Sequence, residues 1–296
     1  MVNLSIVIIT WRQDFNFFRI LAQSILEHNK DNIPVIVVCP DSDLNLFSTF
    51  SSAFRIIAEE DLVKESRAFR GFREGYITQQ LVKLHSYKLE LSKNTLIVDS
   101  DSKFIRDFYM RDFFDSSGNL LSVLTQDKDL IVDPHYRSFS DSRSPEIKRI
   151  YSLFEVDTQI LRQVQMNPLI SNLVLQDLVE VGFESFGINP VQALEISPFE
   201  YSWYTAWLLK TKQIPIIPIE PLFKTFHIRS QYINSLSYGI SESDLSRAYI
   251  GVIYNSNWYT DYKKESRFQR ALFDYRSDSY YFRHLKRIKK RIGKNH

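Results

Sequence analysis

The sequence predicts an α/β fold: a mostly parallel central sheet flanked by helices, followed by a helix-rich C-terminal region. Three observations predict it. Short, nearly continuous apolar runs recur in the first third of the chain, helical patterns separate them, and the fourth run ends in two carboxylates. Strands buried on both faces read as continuous apolar runs, whereas strands with one wet face alternate. Runs of this kind separated by helices favour parallel pairing.

The first strand is Leu4-Ser5-Ile6-Val7-Ile8-Ile9. Phe17, Phe18, Leu21, Ile25 and Leu26 follow at helical spacing, with Asp14 as the expected N-cap. Pro34 to Cys39 is the second strand, ended by the turn Pro40-Asp41-Ser42-Asp43. Phe54 to Ile57 is the third, before the acidic Glu59-Glu60-Asp61. Gly75 to Leu91 reads as a helix with Leu81, Leu84, Tyr87 and Leu91 on one side. Thr95 to Val98 is the next strand, and Leu120 to Leu124 another. Beyond residue 140 helical patterns dominate, over 145–165, 168–181 and 199–212. Ile214 to Ile219, with Pro215 and Pro218, reads as an edge strand or an extended loop. The 230–262 stretch is polar, rich in Tyr, Ser and Asn, and has no strong period.

Of the 296 residues, 44% are hydrophobic and 24% charged, the balance of a globular chain with a large core. No apolar run approaches the roughly 18 residues of a membrane span. Leu4 to Ile9 is too short for a signal peptide. Cys39, the single cysteine, leaves no intrachain disulfide and reads as a core residue. The net charge of +2 conceals an asymmetry. Residues 283–296 hold seven Lys/Arg and no acid, so the preceding body carries 30 Lys/Arg against 35 Asp/Glu. A mildly acidic body argues against nucleic acid as a partner. Leu285, Ile288 and Ile292 lie at helical spacing among those basic residues, after Tyr280, Tyr281 and Phe282. That pattern suits a small amphipathic helix on an anionic membrane surface; a disordered basic tail is the alternative.

The chemistry concentrates in Asp99-Ser100-Asp101, directly after the fourth apolar run. Open α/β sheets bind ligands at the carboxyl ends of their strands. Two carboxylates one residue apart at such an end can aim oxygens at a hard cation, Mn²⁺ or Mg²⁺, shared with substrate phosphates. A solvated turn with Asp at capping positions is the alternative. The eight glycines include no two separated by a single residue, so neither a G-x-G-x-x-G loop nor a P-loop is present. A bound nucleotide would then be held by metal and side chains.

Three stretches carry a resemblance. Gly75-Tyr76-Ile77-Thr78-Gln79-Gln80-Leu81-Val82-Lys83-Leu84 precedes Leu96-Ile97-Val98-Asp99-Ser100-Asp101-Ser102, and Ser197 to Tyr204 reads Ser-Pro-Phe-Glu-Tyr-Ser-Trp-Tyr. Over about residues 1–230 this is similar to a bacterial family of predicted GT-A glycosyltransferases known mainly as a domain of unknown function. The family commonly has Gly-aromatic-x-x-Gln-Gln-Leu-x-Lys-Leu before its acid pair and a Phe-Ser-Glu-Tyr stretch later. The middle residue of its acid pair is often Ala; here it is Ser100.

The resemblance implies a GT-A (Rossmann-like) catalytic domain over 1–230. Its nucleotide-sugar half would cover about 1–125 and its acceptor half 126–230, with an extension over 231–282 and the basic tail over 283–296. It implies that Asp101 ligates a divalent metal and that Asp99 ligates it too or accepts a ribose hydroxyl. It implies that Lys83 neutralises diphosphate charge, that Gln80 binds sugar or ribose hydroxyls, and that Thr10 and Arg12 lie where base and phosphates bind. Ser100 belongs to the same donor set, and His227, in Phe223-Lys224-Thr225-Phe226-His227-Ile228-Arg229, is the expected third metal ligand. Trp11 either stacks on a base or closes the core. Glu200 opens a stretch rich in aromatics and can orient or deprotonate an acceptor hydroxyl; Asp177 is the second candidate base. Arg67, Arg70 and Arg73 form a stripe with a phosphate-facing or a solvated reading, and His135-Tyr136-Arg137 reads as an acceptor loop or a plain one.

The expected function is transfer of a sugar from a nucleotide-sugar donor to a hydroxyl of a carbohydrate or lipid-linked acceptor, in surface polysaccharide or glycan biosynthesis. The expected place is the cytoplasm, peripheral to the inner membrane face through the tail. Two rivals are a haloacid-dehalogenase-like phosphatase and a non-catalytic sugar-binding protein on the same frame. The phosphatase reading expects Thr or Val where Lys103 stands.

Overall fold

The computed structural model describes residues 2–63, 74–125, 145–157, 166–256, 258–259 and 266. A five-stranded sheet in the order β3-β2-β1-β4-β7 forms its centre. The strands are β1 (Val2–Ile9), β2 (Val35–Cys39), β3 (Arg55–Ala58), β4 (Ser92–Asp99) and β7 (Leu169–Ser171). All pairs are parallel except β4 with β7. The apolar runs make physical sense in this frame. Successive side chains of a strand point to opposite faces, and both faces here are covered.

Val7, Ile9, Ile36, Val38 and Ile97 pack on one side, against Leu81, Val82, Leu84, Ile150, Tyr151, Trp203 and Leu208. Those partners belong to helix α2 (Glu74–Leu84), a helix over 145–153 and helix α3 (Glu200–Thr211). Leu4, Ile6, Ile8, Val35, Val37, Cys39, Leu96 and Val98 face the other way. They meet Phe18, Leu21, Ala22 and Ile25 of helix α1 (Phe15–His28), together with Phe47, Phe54, Phe104 and Phe108.

A second sheet, β5-β10-β9, adjoins the carboxyl end of β4. Its strands are β5 (Ser102–Phe104), β9 (Phe223–Phe226) and β10 (Gly251–Tyr254). Only Ser100 and Asp101 separate β4 from β5, so the chain passes from one sheet to the other through the acid triplet. β10 runs antiparallel to β5 and parallel to β9. The segment read as an extension over 231–282 thus supplies the middle strand of a sheet that begins one residue after Asp101.

Several elements differ from the sequence reading. The predicted helix over 168–181 opens instead with β7, then turns helical at Asn172–Asp177. Pro168 disfavours helix in the residue before it, and the open edge of β4 takes up the next three residues as a strand. The predicted strand over 120–124 is two residues long, β6 (Ser122–Val123), and pairs only with β8 (Pro218–Ile219). The helix predicted over 75–91 ends at Leu84 and gives way to a tighter turn over Ser86–Leu89, closed by Glu90 at φ 52°. The aperiodic 230–262 stretch contains the helix Arg229–Ser237, a turn of helix at Glu242–Leu245, and β10. Asp14 stands at the N-cap of α1 but its carboxylate does not cap the helix. The stripe Arg67, Arg70 and Arg73, the stretch His135–Arg137 and the basic tail over 283–296 lie outside the described residues. No helix among the described residues is long and apolar enough to cross a membrane.

Packing of the second sheet is tight at Gly251. A Cβ there would sit 2.8 Å from the Lys103 carbonyl and run into the Phe223 ring. Gly251→Ala is expected to destabilise the protein by about 1–3 kcal/mol, the usual cost of overpacking. A chemical denaturation midpoint equal to that of the wild type would contradict this packing.

Candidate active site

Asp99 is the last residue of β4 and lies in register with Ile9, the last residue of β1. Two parallel strands therefore end side by side, and the chain turns away at the acid triplet. Asn167 fastens that turn. The Asp99 N–H donates to Asn167 Oδ1 at 2.8 Å, and Asn167 Nδ2 donates to Ser102 Oγ at 2.9 Å. Asn167 is buried, with φ at 59°, a left-handed conformation that asparagine adopts more readily than most residues.

The Asp99 side chain meets a buried cation. Lys83 Nζ, on α2, lies 3.0 Å from Asp99 Oδ1 and 3.3 Å from Glu200 Oε1, at the first turn of α3. The same ammonium sits 5.1 Å from the centre of the Tyr201 ring. Lys83 is 5% exposed. Burial alone would favour its neutral form, but the attraction of Asp99 and then of its α3 neighbours outweighs that and holds its pKa above the ordinary lysine value. Burial raises the Glu200 pKa despite the opposing pull of Lys83.

Asp101 has a different surrounding. Its Oδ2 accepts the Ser256 N–H at 2.8 Å, while Oδ1 is buried without a hydrogen-bond partner. Burial, then the charges of Asp99 and Asp14, push its pKa up to about 6. Asp14 completes the group. Its Oδ2 accepts from Trp11 Nε1 at 3.1 Å and from Ser100 Oγ at 3.3 Å, and burial raises its pKa as well.

These residues fit a hard divalent cation. The unpartnered Asp101 oxygen is the type of ligand such an ion takes, and Asp14, Asp99 and Glu200 leave more negative charge than Lys83 balances. The expected trio of Asp99, Asp101 and His227 is not gathered, however. Among the described residues no three His, Cys, Asp or Glu side chains converge to hold a metal. Asp99 Oδ1 is taken by Lys83, and His227, just after β9, has its backbone N–H on Gln231 Oε1.

The remaining sequence candidates divide by position. Thr10 is buried at the end of β1, its hydroxyl without a partner, and Trp11 is 42% exposed beside it, so the indole does not close the core. Arg12 turns to Asp43: its Nε donates to Oδ1 at 2.7 Å, its backbone N–H to Oδ2 at 2.8 Å, and its Nη2 to the Ser42 carbonyl. These bonds hold the Asp43 carboxyl below its usual range against the effect of burial. Gln80 Nε2 donates to the Tyr76 carbonyl one turn back in its own helix, while its neighbour Gln79 reaches the Ile9 carbonyl. Asp177 accepts from Trp207 Nε1 at 2.8 Å and from Gln213, about two turns along α3 from Glu200, and makes no described contact with the acid triplet.

Sequence reasoning missed Asn167, the side-chain role of Asp14, the stacking of Tyr201 on Lys83, and Ser256. Asn167-Pro168 carries a turn signal that could have been noticed. The Ser256 contact runs first through a backbone N–H, which residue type does not reveal.

Residues 1–141 match the profile of a family described as a family of unknown function, DUF6492. No curated protein matches the chain. Among solved structures, the galactosyltransferase LgtC in complex with donor and acceptor sugar analogues aligns at a TM-score of 0.51 and 12% identity, over 85% of this chain and 87% of its own. Mouse xyloside xylosyltransferase 1, in its apo form, aligns at 0.47 and 8%, over 86% and 99%. The likeness to LgtC shows the fold: the chain has the GT-A architecture.

Two outcomes follow from the charges. A carboxyl whose folded pKa is raised penalises the folded state fully above that pKa, and the penalty fades as pH falls through it. For Asp101, about 6 against an ordinary 3.8, the penalty at pH 8 is about 3 kcal/mol. In EDTA, Asp101→Asn is expected to be more stable than the wild type at pH 8 and to lose most of that advantage by pH 4.5; a pH-independent difference in denaturation would contradict the burial of this group. Lys83→Met leaves Asp99 and Glu200 without their counter-ion and is expected to cost about 3–5 kcal/mol by the same measurement.

Proposed function

We propose that this chain is a metal-dependent GT-A glycosyltransferase moving a sugar from a nucleotide-sugar donor to a hydroxyl of a carbohydrate or lipid-linked acceptor, in surface polysaccharide or glycan biosynthesis. One observation carries most of the weight. Lys83 ties Asp99 to Glu200 next to an unpartnered oxygen of Asp101, at the strand edge where open α/β sheets bind ligands. A strip of carboxylates with a single buried ammonium suits a ligand that brings hydroxyl donors and phosphate-bound metal together.

Bound Mn²⁺ or Mg²⁺ would supply Lewis-acid stabilisation of the departing diphosphate. In this reading Asp101 Oδ1 is the protein's ligand to that ion. Asp99 accepts hydrogen bonds from donor hydroxyls, and Lys83 holds its carboxylate in place. The exposed Trp11 indole offers a stacking face for the nucleobase, and the neighbouring Thr10 carries a hydroxyl without a partner. Glu200 is the favoured group to take the proton from the acceptor hydroxyl. Its raised pKa brings it closer to neutrality, where a general base works best, whereas Asp177 is committed to Trp207 and Gln213.

Thermal unfolding against a panel of nucleoside diphosphates, each with and without Mn²⁺, tests the donor site. One nucleotide is expected to stabilise the protein only with the metal, by about 2.7 kcal/mol at 100 times its dissociation constant. The corresponding nucleotide-sugar is then the donor to assay. Glu200→Gln is expected to keep that shift and lose about 10²-fold or more in transfer rate. A panel without any metal-dependent shift would count against the assignment.

A further inference from the structure

The acid triplet has a second attachment, from the distal end of the described chain. Besides the Ser256 N–H on Asp101 Oδ2, the Tyr254 N–H donates to the Asp101 carbonyl at 3.0 Å. The Ser256 hydroxyl also faces that carboxylate. Tyr254 ends β10, and Ser256 lies two residues beyond it. Around them three aromatic rings stack in series. Phe226 lies on Tyr254 at 5.7 Å and 14°, and Tyr254 on Tyr259 at 4.8 Å and 20°. Tyr259 in turn meets Phe17 of α1 at 6.3 Å. Trp258 Nε1 donates to the Phe226 carbonyl at 2.8 Å. The Tyr254 hydroxyl donates to Glu242, whose other oxygen pairs with Lys103 of β5 at 2.6 Å. The segment therefore reaches from β9 across the acid triplet to α1, anchored on both sides, and its midpoint grips Asp101.

We infer that Tyr254, Ser256, Trp258 and Tyr259 form a clasp that positions Asp101 for a divalent cation, with Ser256 as the positioning residue. The inference rests on the cation role proposed for Asp101. A carboxylate with one oxygen pinned by a peptide N–H no longer rotates freely, and its other oxygen is held in one direction. Groups that orient a ligand in this way commonly matter as much to metal affinity as second contacts do. The relation is reciprocal. A cation that binds better when the clasp is docked must tighten the clasp when it binds.

Full-length protein and Mn²⁺ alone test this, with metal affinity read from the electron paramagnetic resonance signal of free Mn²⁺. Ser256→Pro removes the N–H and the hydroxyl together. Ser256 is the first residue of a helical turn, where proline is well tolerated. The expected loss is about 10- to 100-fold in Mn²⁺ affinity. In the wild type, saturating Mn²⁺ is expected to slow hydrogen exchange in a peptide from Tyr254 to Tyr259. A folded Ser256→Pro protein that binds Mn²⁺ as tightly as the wild type overturns the clasp and leaves the cation role standing. A wild type that does not bind Mn²⁺ overturns both. If Ser256→Pro does not fold, the wild-type exchange experiment decides: slowed exchange supports the clasp, and unchanged exchange overturns it.

Discussion

One buried ammonium holds the carboxyl edge of the sheet together. Lys83 gives up its hydration to stand between Asp99 and Glu200, an arrangement that is tolerable only because two carboxylates stand close to it. The consequence reaches beyond the pair. Lys83 comes from α2, Asp99 from the end of β4 and Glu200 from the first turn of α3, so a single charge fixes the relative placement of two helices and the central strand. The apolar side of these elements is generic packing and would accept many registers. The polar end is specific, because an ion pair in a low-dielectric interior works over a narrow range of distances.

The central sheet was legible because its physics is simple. Both faces are covered, so the buried residues of β1 and β2 are apolar except Ser5, which pairs with Ser92, and parity then assigned each side chain to a face. Elements whose structure comes from tertiary contact were harder to see. β7 is three residues long and exists because β4 offers an open edge. β10 reads as part of a polar, aperiodic stretch, since only four residues are strand and their partners are far away in sequence. β6 and β8 are similarly products of their pairing.

The site shows the same division. Asp99 and Asp101 stood out because two carboxylates directly after a buried apolar run need a reason, and Lys83 and Glu200 because they fall in the stretches that carry the family resemblance. Their neighbours did not. Asp14 looked like a helix cap, which is what an aspartate before an amphipathic stretch usually is. Here its carboxylate takes bonds from Trp11 and from Ser100, the middle residue of the triplet, so the serine hydroxyl, expected at the nucleotide-sugar, turns to Asp14 instead. Arg12 and Gln80 had suitable charge and polarity, yet Asp43 and the helix backbone claim them. Residue type reports what a side chain can do; it is silent on which of several nearby partners it meets.

The Asn167-Pro168 pair bears on how the protein ages. An asparagine in a turn can be a liability, because its side-chain amide can be attacked by the backbone nitrogen of the next residue and converted slowly to aspartate. That change would put another negative charge against Asp99. Pro168 has no N–H and its nitrogen is already fully substituted, so the attack has no route. The same dipeptide that bends the chain behind the acid triplet thereby protects the fastener of that triplet from chemical decay.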